Sequence, residues 1–163
     1  MTHQNFLFGR WQNAVAVGEN HSYHSSTYRQ EISTSYDKGF RSVYSLTAHI
    51  VLVTKYRKKL INQALLPRLQ EIFLATCEKW ECQVLEFNGE VDHVHLLIRY
   101  HPQVELSKFI ANLKIVSSRL IRKDFAEYLS KYYHKPVFWT GSYFVASCPG
   151  VTVEQLKRYV EEQ

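Results

Sequence analysis

Three features of the 163-residue chain predict an α+β fold: an antiparallel sheet with helices on one face and an added C-terminal helix. Apolar residues follow a strand-like alternation in some stretches and a helical period in others. These stretches come in the order β-α-β-β-α-β, punctuated by turn signals at Asn88-Gly89, Pro102 and Pro149-Gly150. With 45% hydrophobic and 21% charged residues, the composition is that of a globular domain able to bury one core.

Residues 44–54 (YSLTAHIVLVT) are β-branched and aromatic and read as the first strand. A basic turn over 55–59 follows it. Residues 63–80 place Leu65, Leu66, Leu69, Ile72, Phe73 and Thr76 at helical spacing, with Pro67 tolerated in the first turn. A second strand is expected over 82–87, a hairpin turn at Asn88-Gly89, and a third strand over 91–100 that Pro102 ends. Residues 104–125 form a second helix whose buried side carries Leu106, Phe109, Ile110, Leu113, Val116 and Leu120. A further strand over 137–148 stops at Pro149-Gly150. Thr152 and Gln155 have the spacing of a capping box, so a short helix starts near residue 153 with Val153, Leu156 and Val160 as its apolar stripe. This order suggests a ferredoxin-like or RRM-like sandwich, whose second sheet face stays free for a ligand.

Residues 1–42 are polar, rich in Ser, Asn, Gln, Thr and His, and read as a flexible extension to a domain over 43–163. His3, His21 and His24 lie in it at spacings that specify no metal site. The chain carries a formal net charge of +5 and a pI near 9.1. Arg10, Arg29 and Lys38 balance Glu19, Glu31 and Asp37, so the excess belongs to the domain and favours a polyanionic partner. No apolar run reaches the roughly 18 residues of a membrane span, and the N-terminus lacks a signal-peptide core, so a cytoplasmic protein is expected. Cys77, Cys82 and Cys148 lack CxxC spacing and read as reduced thiols.

The chemistry concentrates in Asp92-His93-Val94-His95-Leu96-Leu97. On a strand His93 and His95 point the same way, about 7 Å apart at a rise of roughly 3.3 Å per residue, and can converge on one ion. Asp92 is a candidate for orienting one of these histidines, but alternation turns it to the opposite face. On the terminal helix Tyr159 and Gln163, four apart, share one flank. Pattern alone does not choose between Tyr159 and Tyr143 as a nucleophile. Lys55, Arg57, Lys58 and Lys59 with Tyr56 form a basic-aromatic cluster able to hold phosphates and stack a base. On the second helix Lys114, Ser118 and Arg122 recur every four residues beside Arg119.

Five ordered segments, VYSLTAHIVLVTKYRKKLI, VDHVHLLI, LKIVSSRLIRKDF, VFWTGSYFVASC and QLKRYVEEQ, resemble the bacterial insertion-sequence transposases of the IS-two-hundred-like family. These are single-tyrosine enzymes of the HUH type. The resemblance implies that His93 and His95 bind a divalent metal, Mg2+ or Mn2+. It also implies that Tyr159 is the nucleophile and that Gln163 completes the metal site. It implies cleavage and rejoining of single-stranded DNA with hairpin ends through a 5′-phosphotyrosine, by a homodimer in which the tyrosine helix of one subunit can serve the other. The Lys114, Ser118, Arg119 and Arg122 row matches the family's Lys-…-Ser-Ser-Arg segment and so reads as DNA-binding. Departures fall at Ile115-Val116, where the family commonly carries Gly-Arg, and at Cys148-Pro149 before the terminal helix. Two other readings stay open: an HUH nicking enzyme that does not transpose, and a non-catalytic RRM-like nucleic-acid-binding module. The second needs exposed aromatics on central strands, and VDHVHLLI has none at its centre.

Overall fold

A computed structural model describes residues 28–29, 37–39 and 42–147. Its main strands and helices are β4 (Leu46–Val53), α1 (Leu65–Lys79), β5 (Gln83–Gly89), β6 (His93–Tyr100), α2 (Leu106–Asp124) and β7 (Phe144–Ser147). Short pieces flank them: β1 (Tyr28–Arg29), β2 (Asp37–Gly39), β3 (Ser42–Tyr44) and a one-turn helix α3 (Ala126–Ser130). The sheet order is β1-β5-β6-β4-β7, every neighbouring pair antiparallel, while β2 and β3 form a separate hairpin. The expected β-α-β-β-α-β order is therefore present as a split βαβ arrangement, with β6 inserted between β4 and β5. The expected terminal helix falls outside the described residues.

Alternation along the two central strands makes the layers. Ala48, Ile50 and Leu52 of β4 and Val94, Leu96 and Ile98 of β6 join Leu65, Leu69, Ile72 and Phe73 of α1 and Phe109, Ile110 and Leu113 of α2 in one core. Phe73 packs edge-on against Phe87, ring centroids 5.4 Å apart. Deeper in, the Trp139 indole N–H donates to Ser117 Oγ at 2.9 Å, and that hydroxyl donates to Leu113 O at 2.6 Å. The pair satisfies two polar groups where water does not reach.

Two connections differ from the sequence expectation. Asn88 and Gly89 remain in β5, paired with His95 and Val94, and the hairpin turns over residues 90–92 instead. Glu90 N donates to His93 O at 2.8 Å to close it. A Cβ at Gly89 would meet the end of the Leu66 side chain, so the glycine lets that leucine lie close against the strand. The last strand is also shorter than 137–148. Among the described residues only Phe144–Ser147 pairs with β4 as a strand, and upstream a single bridge joins Trp139 to Thr54. A bulge between Val84 and Glu86 shifts the β5 register, which aims Phe87 into the core and places Glu86 and Asn88 beside Leu97 and His95.

Ser117→Ala leaves the Trp139 N–H buried without an acceptor and is expected to lower unfolding free energy by about 1–3 kcal/mol. Urea denaturation of the variant measures it, and a change within error of zero would show that the indole finds another partner.

Candidate active site

The rings of His93 and His95 lie on the same sheet face, centroids 4.8 Å apart, as strand alternation requires. Each ring has its Nδ1 engaged. His93 Nδ1 is 2.7 Å from Asp92 Oδ1, and His95 Nδ1 is 3.3 Å from His49 Nε2. Such contacts fix ring orientation. Burial, reinforced by His93 and His49, pushes His95 down to about 4. Burial also lowers His49, against the opposing pull of Glu86. His95 is thus an uncharged donor at neutral pH, the form that ligates metals.

The donor chemistry of the pair fits a divalent ion. Among the described residues, no three His, Cys, Asp or Glu side chains form a group able to hold one. His49 acts as a support, its Nε2 spent on His95. Tyr159 and Gln163 lie outside the described residues.

His49 is the residue that sequence reasoning missed. It lies on β4 opposite Leu97, diagonal to His95, and only the inter-strand register brings the two together. Asp92 needs a correction. Alternation assigned it to the far face, but the residue precedes β6 and lies in the connection, where alternation does not apply. Its side chain is 7% exposed and holds His93 on one oxygen. The other oxygen accepts from Arg57 Nε at 3.3 Å and Nη2 at 3.2 Å. Arg57, expected to face phosphate, thus commits two nitrogens to bracing the histidine's carboxylate.

The basic turn after β4 is strained. Tyr56 (φ 59°) and Arg57 (φ 49°) are consecutive non-glycine residues in the left-handed region, a cost of roughly 1–3 kcal/mol each. The surroundings hold them there. Thr54 Oγ1 donates toward Lys58 O (2.8 Å) and Asp92 O (3.1 Å), and Tyr133 Oη donates to Lys55 O at 2.7 Å. Lys55 N donates to Phe138 O at 2.8 Å. Tyr56 itself is 71% exposed, with Lys55 Nζ 5.0 Å from its ring centroid, and Lys58 and Lys59 are exposed beside it.

Lys114 of the α2 row is also engaged. Its Nζ donates to Gly141 O at 2.8 Å and Ser142 O at 3.1 Å, and burial lowers its pKa. Thr140 N donates to Val53 O, and Val53 pairs with His93, so Lys114 and the strained turn gather at the histidine end of the sheet. Ser118 and Arg122 are half-buried and Arg119 is exposed. Among the described residues no hydrogen bond or ion pair joins these three to the histidines. Tyr143, the rival nucleophile on pattern, is 36% exposed, its ring centroid 5.8 Å from Lys114 Nζ.

Asp92→Ala removes the acceptor for both His93 and Arg57 and is expected to destabilise by about 1–3 kcal/mol. Arg57→Ala should cost less, because Arg57 is partly exposed. Chemical denaturation of the two variants checks the order, and equal or reversed costs would discount the carboxylate as the hub.

The family described as Transposase IS200 like matches residues 42–163. The transposase for insertion sequence element IS200 of Salmonella typhimurium is 28% identical over 115 residues, spanning 71% of this chain and 74% of its own. The ISDra2 transposase TnpA of Deinococcus radiodurans is 27% identical over 126 residues, spanning 77% of this chain and 89% of its own. A solved structure of a Deinococcus radiodurans R1 protein assigned as a transposase superposes with a TM-score of 0.73 at 27% identity, covering 78% of this chain and 97% of that one. The family match takes in four of the five sheet strands, the histidine strand among them, and both long helices, so the chain belongs to the IS200-like transposase family.

Proposed function

We propose that this transposase cuts and rejoins single-stranded DNA at insertion-sequence ends, with Tyr159 as the nucleophile and a 5′-phosphotyrosine as the stored bond. The observation that carries the reading is the His93–His95 pair, each ring pinned through Nδ1. Pinned rings hold their Nε2 atoms in one place without further loss of freedom when a ligand arrives.

His93 and His95, joined by Gln163, hold Mg2+ or Mn2+ in this reading. When bound there, such an ion would supply positive charge to polarise the scissile phosphate and offset charge on its oxygens. The Tyr159 hydroxyl gives up its proton as its oxygen bonds to phosphorus and the bond from phosphorus to the 3′ oxygen breaks, and that oxygen takes up a proton to leave as a 3′-hydroxyl. Because one phosphoester replaces another, rejoining runs through the reverse step without ATP. The basic end of the sheet receives the strand, with exposed Lys58 and Lys59 and the α2 residues Arg119 and Arg122 toward its phosphates. Lys114 and Ser118 serve from the same helix, Lys114 by fixing residues 141–142. The partner DNA carries hairpin ends, and the protein works as a homodimer in which the Tyr159 helix reaches the site of the same or the other subunit. The sheet face supports this reading over a passive RRM-like module, since its centre presents imidazoles rather than aromatic platforms.

With single-stranded hairpin DNA and manganese, a covalent adduct resistant to denaturing electrophoresis is expected. Tyr159→Phe should abolish it and Tyr143→Phe should keep it, so an adduct on the Tyr159 variant would remove that residue from the mechanism. His93→Ala should cut cleavage by roughly 100-fold or more with little loss of fold, since the ring is a ligand rather than core. Undiminished cleavage would end the metal role.

A further inference from the structure

We propose that Tyr56 is a stacking platform for an unpaired DNA base beside the cleaved phosphate. The proposal rests on the DNA reading of the same site and assigns the turn a task of its own within it.

Exposure is the first observation. Among the described residues Tyr56 is the most exposed large apolar side chain, at 71%. A ring that merely packed its own protein would be covered. The backbone is the second. Tyr56 and Arg57 hold left-handed conformations with no glycine at either position, and strain of this kind persists where a side chain must be aimed. Bracing is the third. Thr54, Tyr133, Arg57 and the Phe138 carbonyl all fix this turn, so the backbone that carries the ring is set before any ligand arrives.

Placement makes the ring relevant to chemistry. Val53 pairs with His93, and Tyr56 follows three residues later, within about 10 Å of chain at roughly 3.3 Å per residue. Arg57, its neighbour, touches the carboxylate that orients His93. Charge completes the case. Lys55 Nζ sits 5.0 Å from the ring centroid, and Lys58 and Lys59 are exposed on the same turn. A ring with one ammonium over one face, on a turn with two more exposed lysines, offers its other face to a base and its cations to the flanking phosphates. Because every base has a π-face, the platform reads position rather than identity: it sets which phosphate along a strand comes to the histidines.

The full chain without divalent metal, titrated with a single-stranded oligonucleotide of about twelve nucleotides carrying one 2-aminopurine, tests this. The wild type should bind and quench the 2-aminopurine at one position of the strand. Tyr56→Leu should lose roughly tenfold or more in affinity together with the quench, and Tyr56→Phe, which keeps the ring, should rescue both. Tyr56→Gly separates stacking from structure: it suits the left-handed backbone, so its unfolding midpoint should hold or rise while affinity falls. Wild-type binding matched by Tyr56→Leu would overturn the platform and leave the DNA reading standing. No binding by the wild type would overturn both. A Tyr56→Leu protein that binds the strand normally but changes its subunit association would make the ring a contact between copies, and would also overturn the proposal.

Discussion

A buried carboxylate organises the histidine end of this protein. Asp92 holds the His93 ring through one oxygen and Arg57 through the other, while its backbone carbonyl accepts from Thr54 N at 2.9 Å. The same residue therefore ties the start of β6 to the end of β4 and to the strained turn beyond it. A lone carboxylate this deep would be expensive, and its cost is offset by placing a guanidinium and an imidazole against it. Geometry at the histidines and geometry at the turn are consequently one problem with one solution.

The rest of the fold supplies the rigidity that this solution needs. The central strands β4 and β6 bury one face under α1 and α2, and even on the histidine face Val51 and Val53 are fully covered. A close-packed layer beneath two imidazoles prevents them from drifting apart, and it lowers the polarity around them enough to keep His95 uncharged. The Trp139–Ser117 bond then fastens the segment before β7 to α2, which lets Lys114 close over residues 141–142. Electrostatics at the site is a product of packing several layers away.

The sequence made the architecture legible wherever one period ran long enough. Residues 46–53, 65–79 and 106–124 were readable because each buries a regular stripe, and His93 and His95 because they alternate within a strand. What escaped notice depended on register or on chain ends. His49 meets His95 only through inter-strand pairing, a property of two strands that neither segment carries alone. Asp92 was misassigned because a rule for strand interiors was extended past the first strand residue. The Asn88-Gly89 pair has turn chemistry, yet both residues pair inside β5, where Leu66 packs close against the glycine, and tertiary context overrode propensity. The part played by Tyr159 and Gln163 came from family resemblance, since no local spacing distinguishes Tyr159 from Tyr143.

The bulge in β5 carries a consequence for the character of the open face. Before it, Gln83 lies opposite Arg99; beyond it, even-numbered residues lie opposite odd-numbered ones, and Glu86 faces Leu97. One residue of slack thus decides which layer receives a carboxylate and which receives Phe87. A strand that kept every residue but ran straight would set Glu86 opposite Leu96 among the core and Phe87 opposite His95, whereas loss of Leu85 alone would remove the bulge and leave both side chains on their present faces.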